Sequence, residues 1–201
     1  MQVDPSSTEA RNIYKLLIGS VVPRPIAFVS SLSSGGVLNL APFSFFTVVS
    51  ANPPVICFSP MNRTSGDPHK DTRRNIEATG EFVVNVVSED FAGAMNLCSG
   101  EYPPDVDEFV MSGLTPIPSV RVKPARVAES RVQMECRLLQ VVPVSEQPLG
   151  GCLVLGEVLL FHVDDAIVQN YSIDPDKLCA IGRMGGPTYA RTRDRFDLQR
   201  P

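Results

Sequence analysis

A proline lies near the start of an apolar, strand-like segment in the first third of the chain. Residues Asn39 to Ser50 read N-L-A-P-F-S-F-F-T-V-V-S, which predicts a β-strand with Pro42 inside it. Proline has no backbone N–H and cannot donate to a strand ladder. We therefore expect this strand to lie at a sheet edge, to contain a bulge, or to border a ligand.

The residues after this strand form a connection that is suited to bind an anion. A second strand is predicted over Val55 to Ser59, and a short helix over Asp71 to Thr79, which ends at Gly80. The polar residues between them and at the helix start are Arg63, Thr64, Ser65, Lys70, Asp71 and Thr72. Helix N-termini expose N–H groups that bind anions. This stretch predicts a pocket for a ligand that is planar at one end and phosphorylated at the other.

Further apolar segments predict a protein that is mainly β. Four more strands are expected, over Ile26 to Leu32, Glu81 to Val87, Ser130 to Val144 and Cys152 to Val163. Long antiparallel hairpins with few helices favour a barrel, because closure hides strand edges. The whole chain, 1–201, is predicted to be one domain, with termini (about 1–10 and 190–201) that are mobile or bound by a partner.

Composition argues against several classes of function. Lys and Arg number 18 against 22 Asp and Glu, a net charge of −4, so nucleic acid is not expected as a partner. No apolar run reaches the roughly 18 residues of a membrane span, and no basic-then-apolar leader begins the chain. We therefore expect a cytoplasmic protein without membrane contact. Five widely spaced cysteines indicate reduced thiols rather than a disulfide framework.

The motifs of common enzyme classes are missing from the sequence. It contains no glycine-rich dinucleotide loop after a strand, no Walker loop and no G-x-S-x-G elbow. With two histidines, His69 and His162, and no close cysteine pair, no metal site is expected. The spacing leaves open a hydrolase triad centred on Ser44. The acidic loop Glu101 to Glu108 is interpreted as solvated, with cation binding as the less favoured alternative.

Six ordered segments of the chain resemble one family. They are P-R-P-I-A-F-V-S (Pro23 to Ser30), N-L-A-P-F-S-F-F (Asn39 to Phe46), the pair Pro53-Pro54, K-D-T-R-R-N-I (Lys70 to Ile76), T-G-E-F-V-V-N (Thr79 to Asn85) and G-R-M-G-G-P-T-Y (Gly182 to Tyr189). Together they resemble the flavin reductase-like family. The resemblance implies an FMN-binding fold that is mainly β: a six-stranded antiparallel split barrel of Greek-key type with a few short helices.

The resemblance assigns the flavin ring to the proline-interrupted strand. In the family this run lines the flavin, and four residues of this chain match it: Asn39, Ala41, Pro42 and Ser44. A kinked strand edge would leave backbone N–H and C=O groups to bind the pyrimidine edge of the flavin. The alternative is a kinked barrel strand whose three phenylalanines are divided between core and interface.

Cations and hydroxyls of the following connection are the candidates for the flavin phosphate. Arg63, Lys70 and Thr72 are the leading ones, and Ser59 is a candidate for the ribityl chain. Arg24, between two prolines, would join the phosphate group or form a surface or interface salt bridge. A solvated basic loop is the alternative, but the added hydroxyls and the helix N-terminus favour a binding role.

Two later residues are candidates for the open side of the flavin. His162 lies on a late strand and would face the nicotinamide, as a histidine does in some relatives. Its alternative is a hydrogen bond to Asp164 or to a backbone carbonyl. Tyr189 would cover the mouth of the flavin site or pack against a partner subunit.

The predicted function is an FMN-dependent oxidoreductase that transfers a hydride from NADH or NADPH to the flavin. The alternative is an FMN-binding carrier or electron-transfer protein without reductase turnover. Electrons would pass to a small-molecule acceptor or to a partner oxygenase. A homodimer with the flavin near the interface is expected, because the family binds it there and because the Phe-rich strand would otherwise be exposed.

Overall fold

The structure, a computed structural model, describes residues 1–200. Its strands are β1 (Ala27–Leu32), β2 (Leu38–Phe43), β3 (Phe46–Ala51), β4 (Pro54–Phe58), β5 (Glu81–Val86), β6 (Pro116–Ile117), β7 (Arg126–Val127), β8 (Val132–Ser145), β9 (Gly151–Val163), β10 (Val168–Gln169), β11 (Ser172–Ile173), β12 (Ile181–Arg183) and β13 (Tyr189–Arg191). The helices are α1 (Ala10–Ser20), α2 (Asp71–Thr79), α3 (Ala92–Leu97), α4 (Glu108–Ser112) and α5 (Pro175–Leu178), with 3-10 turns at Pro5–Ser7, Glu89–Phe91 and Asp165–Ile167. Within this range no helix has the length and apolar character needed to cross a membrane.

Seven of the described strands form one antiparallel sheet, in the order β2-β1-β5-β8-β9-β4-β3. The two edge strands, β2 and β3, are consecutive in the chain and are joined by Ser44 and Phe45. This link spans at most about 11 Å, because consecutive Cα atoms are about 3.8 Å apart. Seven flat strands would hold the edges roughly 29 Å apart, at about 4.8 Å per strand. The sheet therefore curls until its edges meet, which makes a barrel that is split at this link.

The proline-interrupted segment differs from its prediction in one respect. A single strand is predicted over Asn39 to Ser50, whereas the structure has two, separated at Ser44 and Phe45. Each half pairs with a different neighbour, β2 with β1 and β3 with β4. The sheet consequently has seven strands instead of the six that are predicted. The mainly β split-barrel fold is confirmed, and so is the edge position of Pro42.

Helix α2 agrees with its prediction at both ends. It covers Asp71–Thr79 and stops at Gly80, whose φ of 72° lies in the left-handed region that glycine adopts without steric cost. Thr72 and Ile76 are buried on the helix face that packs against β1 and β2. The start of α2 is therefore fixed beside the split edge of the barrel.

Aromatic contacts stabilise the interior of the barrel. The ring centroids of Phe43 and Phe58 are 5.1 Å apart, and those of Phe58 and Phe82 are 5.6 Å apart. Phe43 is buried, and Phe45 and Phe46 are partly buried. The sequence predicts that up to three phenylalanines of this run are exposed; the structure buries Phe43, because β2 turns it into the core, and leaves Phe45 and Phe46 partly exposed.

A second cluster of buried residues packs the outer face of β1 and β2 against helices. Successive residues of β1 alternate between the two clusters: Ala27 and Val29 belong to the interior, and Phe28 belongs to the outer one. Phe28 packs there with Phe91 and Phe109, near α3 and α4. The first two strands are therefore buried on both faces, and the helices fix the loop that follows α3.

Gly156 of β9 packs against the ring of Phe82, and this contact gives a test of the interior packing. A Cβ atom at position 156 would lie 2.8 Å from Cε1 of Phe82, which is fully buried. We expect Gly156→Ala to lower the free energy of unfolding by about 1–3 kcal/mol, measured by urea denaturation.

Gly93 of α3 is the matched control for this substitution. Among residues 1–200, and apart from its chain neighbours and the backbone of its own helix, no atom lies within 4 Å of a Cβ built at Gly93. Gly93→Ala should leave the free energy of unfolding unchanged or raise it by up to about 1 kcal/mol, because glycine weakens a helix. If both substitutions lowered the free energy of unfolding by the same amount, the packing argument would be contradicted.

Candidate functional site

A cavity of about 200 Å³ opens where β2 ends, at the split between the sheet edges. Its walls come from β2, from the connection between β4 and α2, and from the loop after α3. Eight of the residues predicted from sequence line it: Asn39, Ala41, Pro42, Ser44, Ser59, Arg63, Lys70 and Thr72. The fold therefore brings the candidates for the flavin ring and those for the phosphate into one place.

The edge of β2 presents backbone groups to this cavity. Leu40 donates its N–H to a carboxylate oxygen of Glu108 at 3.0 Å, so this peptide group faces away from β1. Peptide groups alternate in direction along an antiparallel strand, so the carbonyl of Pro42 faces the same way as Leu40. Pro42 lines the cavity. Its carbonyl oxygen is thus an acceptor at the cavity wall.

Asn39 connects the strand, the helix and the loop inside this wall. Its Oδ1 accepts hydrogen bonds from Thr72 Oγ1 at 2.8 Å and from Ser31 Oγ at 3.1 Å. Its Nδ2 donates to Glu108 at 3.0 Å. Asn39 is 8% exposed and Thr72 is 1% exposed. Both side chains therefore hold the wall in place, and protein partners use most of their hydrogen-bonding capacity.

The acidic loop is interpreted from sequence as solvated, which is wrong for its last residue. Glu108 begins α4 with its side chain buried, and it accepts hydrogen bonds from Asn39 and Leu40. Burial raises the pKa of Glu108, although these hydrogen bonds act in the opposite direction. Asp107 caps α4 by accepting from the N–H of Phe109 at 2.8 Å. An aspartate directly before an apolar turn is a helix N-cap signal, and it would have revealed this helix.

Lys70 stands immediately before α2 at the mouth of the cavity. Its Nζ lies 3.3 Å from an oxygen of Glu101, and the two side chains are 30% and 61% exposed. Exposed ion pairs of this kind contribute roughly 0.2–1 kcal/mol. No side chain in the described range caps the first N–H groups of α2. The ammonium group and the helix N-terminus are therefore suited to an anion, for which Glu101 would compete weakly.

Arg63 lines the cavity but directs its guanidinium into the loop. Nη1 donates to the carbonyl of His69 at 2.6 Å, and Nη2 donates to Asp71 at 2.6 Å. Asp71 also pairs with Arg74. Arg63 therefore stabilises the connection between β4 and α2, and Lys70 is the cation that is better placed for a ligand.

A second hollow, of about 380 Å³, adjoins the cavity. The two share four lining residues, Tyr14, Pro42, Ser44 and Ser99. Arg24 and Tyr189 line this second hollow and not the first. The structure thus separates both residues from the phosphate candidates around Lys70.

Arg24 is 4% exposed and ties three segments together. Nη1 donates to the carbonyls of Ile18 (2.7 Å) and Val21 (2.8 Å) at the end of α1, and Nη2 donates to that of Met184 (2.9 Å). Nε lies 3.4 Å from Oγ of Ser44. Desolvation lowers the pKa of Arg24. The guanidinium thus holds α1 against the split edge, a role that differs from the phosphate contact or salt bridge predicted for it.

Tyr189 belongs to the wall of the second hollow. Its hydroxyl donates to Oδ1 of Asn96 at 3.0 Å, and the guanidinium carbon of Arg183 lies 4.5 Å from its ring centroid. This stacking fixes the ring and the guanidinium together. Arg183 lies in G-R-M-G-G-P-T-Y, one of the segments that resemble the family, and this position is the sequence signal that could have identified it.

His162 is held on another part of the barrel by a buried carboxylate. Its Nε2 lies 2.6 Å from Oε1 of Glu135, which is fully buried. Glu135 also accepts from the N–H groups of Val120 (2.8 Å) and Arg121 (2.5 Å). Burial alone would raise the pKa of Glu135, but these hydrogen bonds outweigh it and the pKa lies below its usual value.

The structure does not bring His162 to the cavity of its own chain. Gly151, at the start of the 13-residue strand β9, bridges to Met61 in the cavity wall. His162 is near the other end of β9, roughly 35 Å along the strand at about 3.3 Å per residue. Its partner is Glu135 rather than Asp164 or a backbone carbonyl. A role opposite the nicotinamide would therefore require a second chain.

Other lining residues were missed because their sequence context is not distinctive. Tyr14 of α1 and Met61 line the cavity, together with the loop Cys98, Ser99 and Gly100. An aromatic residue on a short amphipathic helix is more often part of a core than of a binding site. The position of Tyr14 depends on how Arg24 docks α1, which no local pattern reveals.

Comparison with known proteins gives the same assignment over most of the chain. Residues 18–181 match the family described as flavin reductase like domain. An uncharacterized protein of Aquifex aeolicus is 44% identical over 185 residues, 92% of each chain. The crystal structure of nitrilotriacetate monooxygenase component B from Bacillus cereus is similar, with 38% identity, a TM-score of 0.93 and 98% of each chain covered.

A second crystal structure, that of the 2-nitrobenzoate 2-nitroreductase NbaA from Pseudomonas fluorescens, has 32% identity and a TM-score of 0.90. The similarity covers 100% of this chain and 96% of that one. The β2 edge, the start of α2 and every residue that lines their cavity except Tyr14 lie within the residues matched by the family. The chain therefore belongs to the flavin reductase-like family of FMN-binding split-barrel proteins.

Proposed function

We propose that this protein is an FMN-dependent oxidoreductase that uses NADH or NADPH as its reductant. The observation that carries the proposal is a single cavity with a carbonyl-bearing strand edge and an anion site at the start of α2. FMN is planar at one end and phosphorylated at the other, so it needs both surfaces. When bound, FMN supplies the redox chemistry, accepting a hydride from the nicotinamide.

Lys70 and the first N–H groups of α2 would hold the phosphate of FMN. Ser59 would bind the ribityl chain. Each charge-assisted hydrogen bond contributes about 1.5–3 kcal/mol. This exceeds the roughly 0.2–1 kcal/mol of an exposed ion pair such as that with Glu101. Lys70 can therefore exchange its carboxylate partner for a phosphate, while Arg63 keeps the loop in shape.

The ring end would lie against Ala41, Pro42 and Ser44. The carbonyl of Pro42 is an acceptor suited to the N–H group on the pyrimidine edge of a flavin. Asn39 and Thr72 support this wall without needing to contact the flavin, because the hydrogen bond between them fixes β2 relative to α2. The protein thus binds and orients the flavin, and its residues need not transfer a proton for hydride transfer to occur.

The relatives support a redox role for this fold. Two of the similar structures are a monooxygenase component and a nitroreductase. Both names describe oxidoreductases, which favours turnover over simple carriage of FMN. In this protein the electrons would then pass to a small-molecule acceptor or to a partner oxygenase.

We also propose that the protein forms a homodimer through exposed apolar side chains of β8 and β9. Apolar residues on these strands are at least 37% exposed: Leu139, Val144, Leu153, Leu159 and Phe161. Sheet residues in contact with water are normally polar, so these exposed apolar side chains favour cover by a second copy. His162 lies on β9 as well, and contact through this strand is the arrangement that could bring it to the flavin of the partner.

Replacement of Lys70 tests the phosphate site. FMN should bind much more tightly than riboflavin, and Lys70→Ala should weaken FMN tenfold or more, by about 1.5–3 kcal/mol, without affecting riboflavin. Titration followed by flavin fluorescence measures both affinities. Lys123→Ala is the control, because Lys123 is exposed and lies outside the cavity. Equal affinities of the wild-type protein for FMN and riboflavin would disprove the phosphate assignment.

Steady-state oxidation of NADH and NADPH separates the enzyme from a flavin carrier. With added FMN we expect many turnovers per protein molecule. The loss of absorbance of the reduced nucleotide measures this turnover. The background is the same mixture without protein. Tight FMN binding combined with oxidation at the background rate would identify an FMN carrier and refute the reductase.

The exposed apolar side chains of β8 and β9 predict the oligomeric state. Light scattering at low micromolar concentration should give the mass of a dimer, and Phe161→Glu should shift it to a monomer, because a carboxylate would be buried in the contact. Val110→Glu is the control, because Val110 is an exposed apolar residue on α4. A wild-type monomer that binds FMN at full strength would contradict the shared interface.

A further inference from the structure

Two arginines lie directly opposite each other at the second hollow. Arg24 and Arg183 form an antiparallel bridge in which each residue donates its N–H to the other, at 2.9 and 2.8 Å. Residues paired in this way have Cα atoms about 5.5 Å apart and side chains on the same face. Both side chains line the hollow. Like charges placed opposite each other destabilise a strand pair unless another group compensates for them.

The protein residues around this hollow do not supply that compensation. Within residues 1–200, no Asp or Glu lines it. Arg24 donates to backbone carbonyls and to Ser44, and Arg183 donates from Nη2 to the carbonyl of Gly186 at 2.6 Å. These partners are neutral. The hollow therefore carries two positive charges, and most N–H groups of Arg183 remain for a ligand.

Two tyrosines contribute to the walls of the hollow. The guanidinium of Arg183 stacks on Tyr189 at 4.5 Å, and Tyr14 contributes from α1. The volume of about 380 Å³ is at the lower end of the roughly 300–1,000 Å³ of small-molecule sites. The two tyrosines give the hollow flat surfaces against which a planar ring can pack. Tyr14, Pro42 and Ser44 also line the cavity proposed for FMN, so the two sites are in contact.

We propose that this hollow is a binding site for a planar aromatic carboxylate beside the flavin. The carboxylate lies by Arg183, whose guanidinium can bind it with two parallel hydrogen bonds, and Arg24 adds its charge. The ring packs beside Tyr189. This site rests on the proposed function in one respect, because an aromatic acid that carries a reducible ring substituent would accept the two electrons of reduced FMN there, with protons taken from water.

Calorimetric titration of the FMN-loaded protein with benzoate and benzamide tests the site in the absence of nicotinamide nucleotide. The two probes have similar shapes, and benzoate alone carries a negative charge. Benzoate should bind at least tenfold more tightly than benzamide. Arg183→Gln should weaken benzoate at least tenfold, and Arg183→Lys should weaken it less, because lysine keeps the charge but not the two-pronged geometry.

Arg193→Gln is the matched control. Arg193 pairs with Glu89 and lies outside the hollow, so its loss should leave benzoate binding unchanged. The FMN affinity of Arg183→Gln should also match that of the wild type, which shows that the variant is folded. Because no nucleotide is present, these results do not depend on turnover. Benzoate binding without NADH or NADPH oxidation would support the site while refuting the proposed function.

Three results would overturn the proposal. Equal affinities for benzoate and benzamide would show that the paired charges do not select an anion. A loss of FMN affinity in Arg183→Gln as large as that in Lys70→Ala would make the hollow part of the FMN phosphate site. Tighter binding of nicotinamide mononucleotide than of benzoate, with the same dependence on Arg183, would assign the hollow to the reductant.

Discussion

The link of two residues between β2 and β3 is the constraint on which the site depends. Because Ser44 and Phe45 must connect opposite edges of the sheet, the barrel closes at this point without pairing its edge strands. The unpaired edge of β2 is then available to a ligand. Ser44 consequently lines both the cavity and the adjoining hollow. The position of the proposed flavin site follows from the way in which the barrel closes.

Two buried carboxylates hold neighbouring segments in place, one beside this link and one in another part of the barrel. Glu108 accepts from the backbone of β2 and from Asn39, which in turn accepts from Thr72 of α2. Glu135 collects backbone N–H groups from the loop at 120–122 and also binds His162. A charged group in the interior is tolerated where such donors surround it. In both cases the carboxylate organises a segment that has little regular structure of its own.

Sequence reasoning worked where the signal was local. The end of α2 at Gly80 follows from the left-handed conformation that glycine permits, and the edge position of Pro42 follows from its missing N–H. The clustering of the cavity residues came from the family resemblance together with the polar composition after β4. The first two features need no knowledge of distant partners, whereas the clustering depended on the resemblance.

The remaining features depend on contacts between residues far apart in the chain. The break at Ser44 is a property of the closed barrel, since the residues around it are individually compatible with one continuous strand. From sequence, Arg24 is predicted to bind a ligand. In the structure its guanidinium donates hydrogen bonds to the carbonyls of Ile18 and Met184. His162 is directed by Glu135, which lies on the neighbouring strand. In each case the decisive partner is specified by the tertiary fold.

The pairing order of the sheet also has a consequence for how the chain is synthesised. Strand β4 forms its hairpin with β3 early, but its other edge pairs with β9, with Val55 opposite Glu157. About 100 residues must therefore leave the ribosome before that edge is covered, which takes roughly 5–20 s at typical rates of translation. During this time the nascent chain exposes an apolar, unpaired strand to other chains. We expect its folding yield to depend on chaperones that bind such a segment until the second half of the barrel emerges.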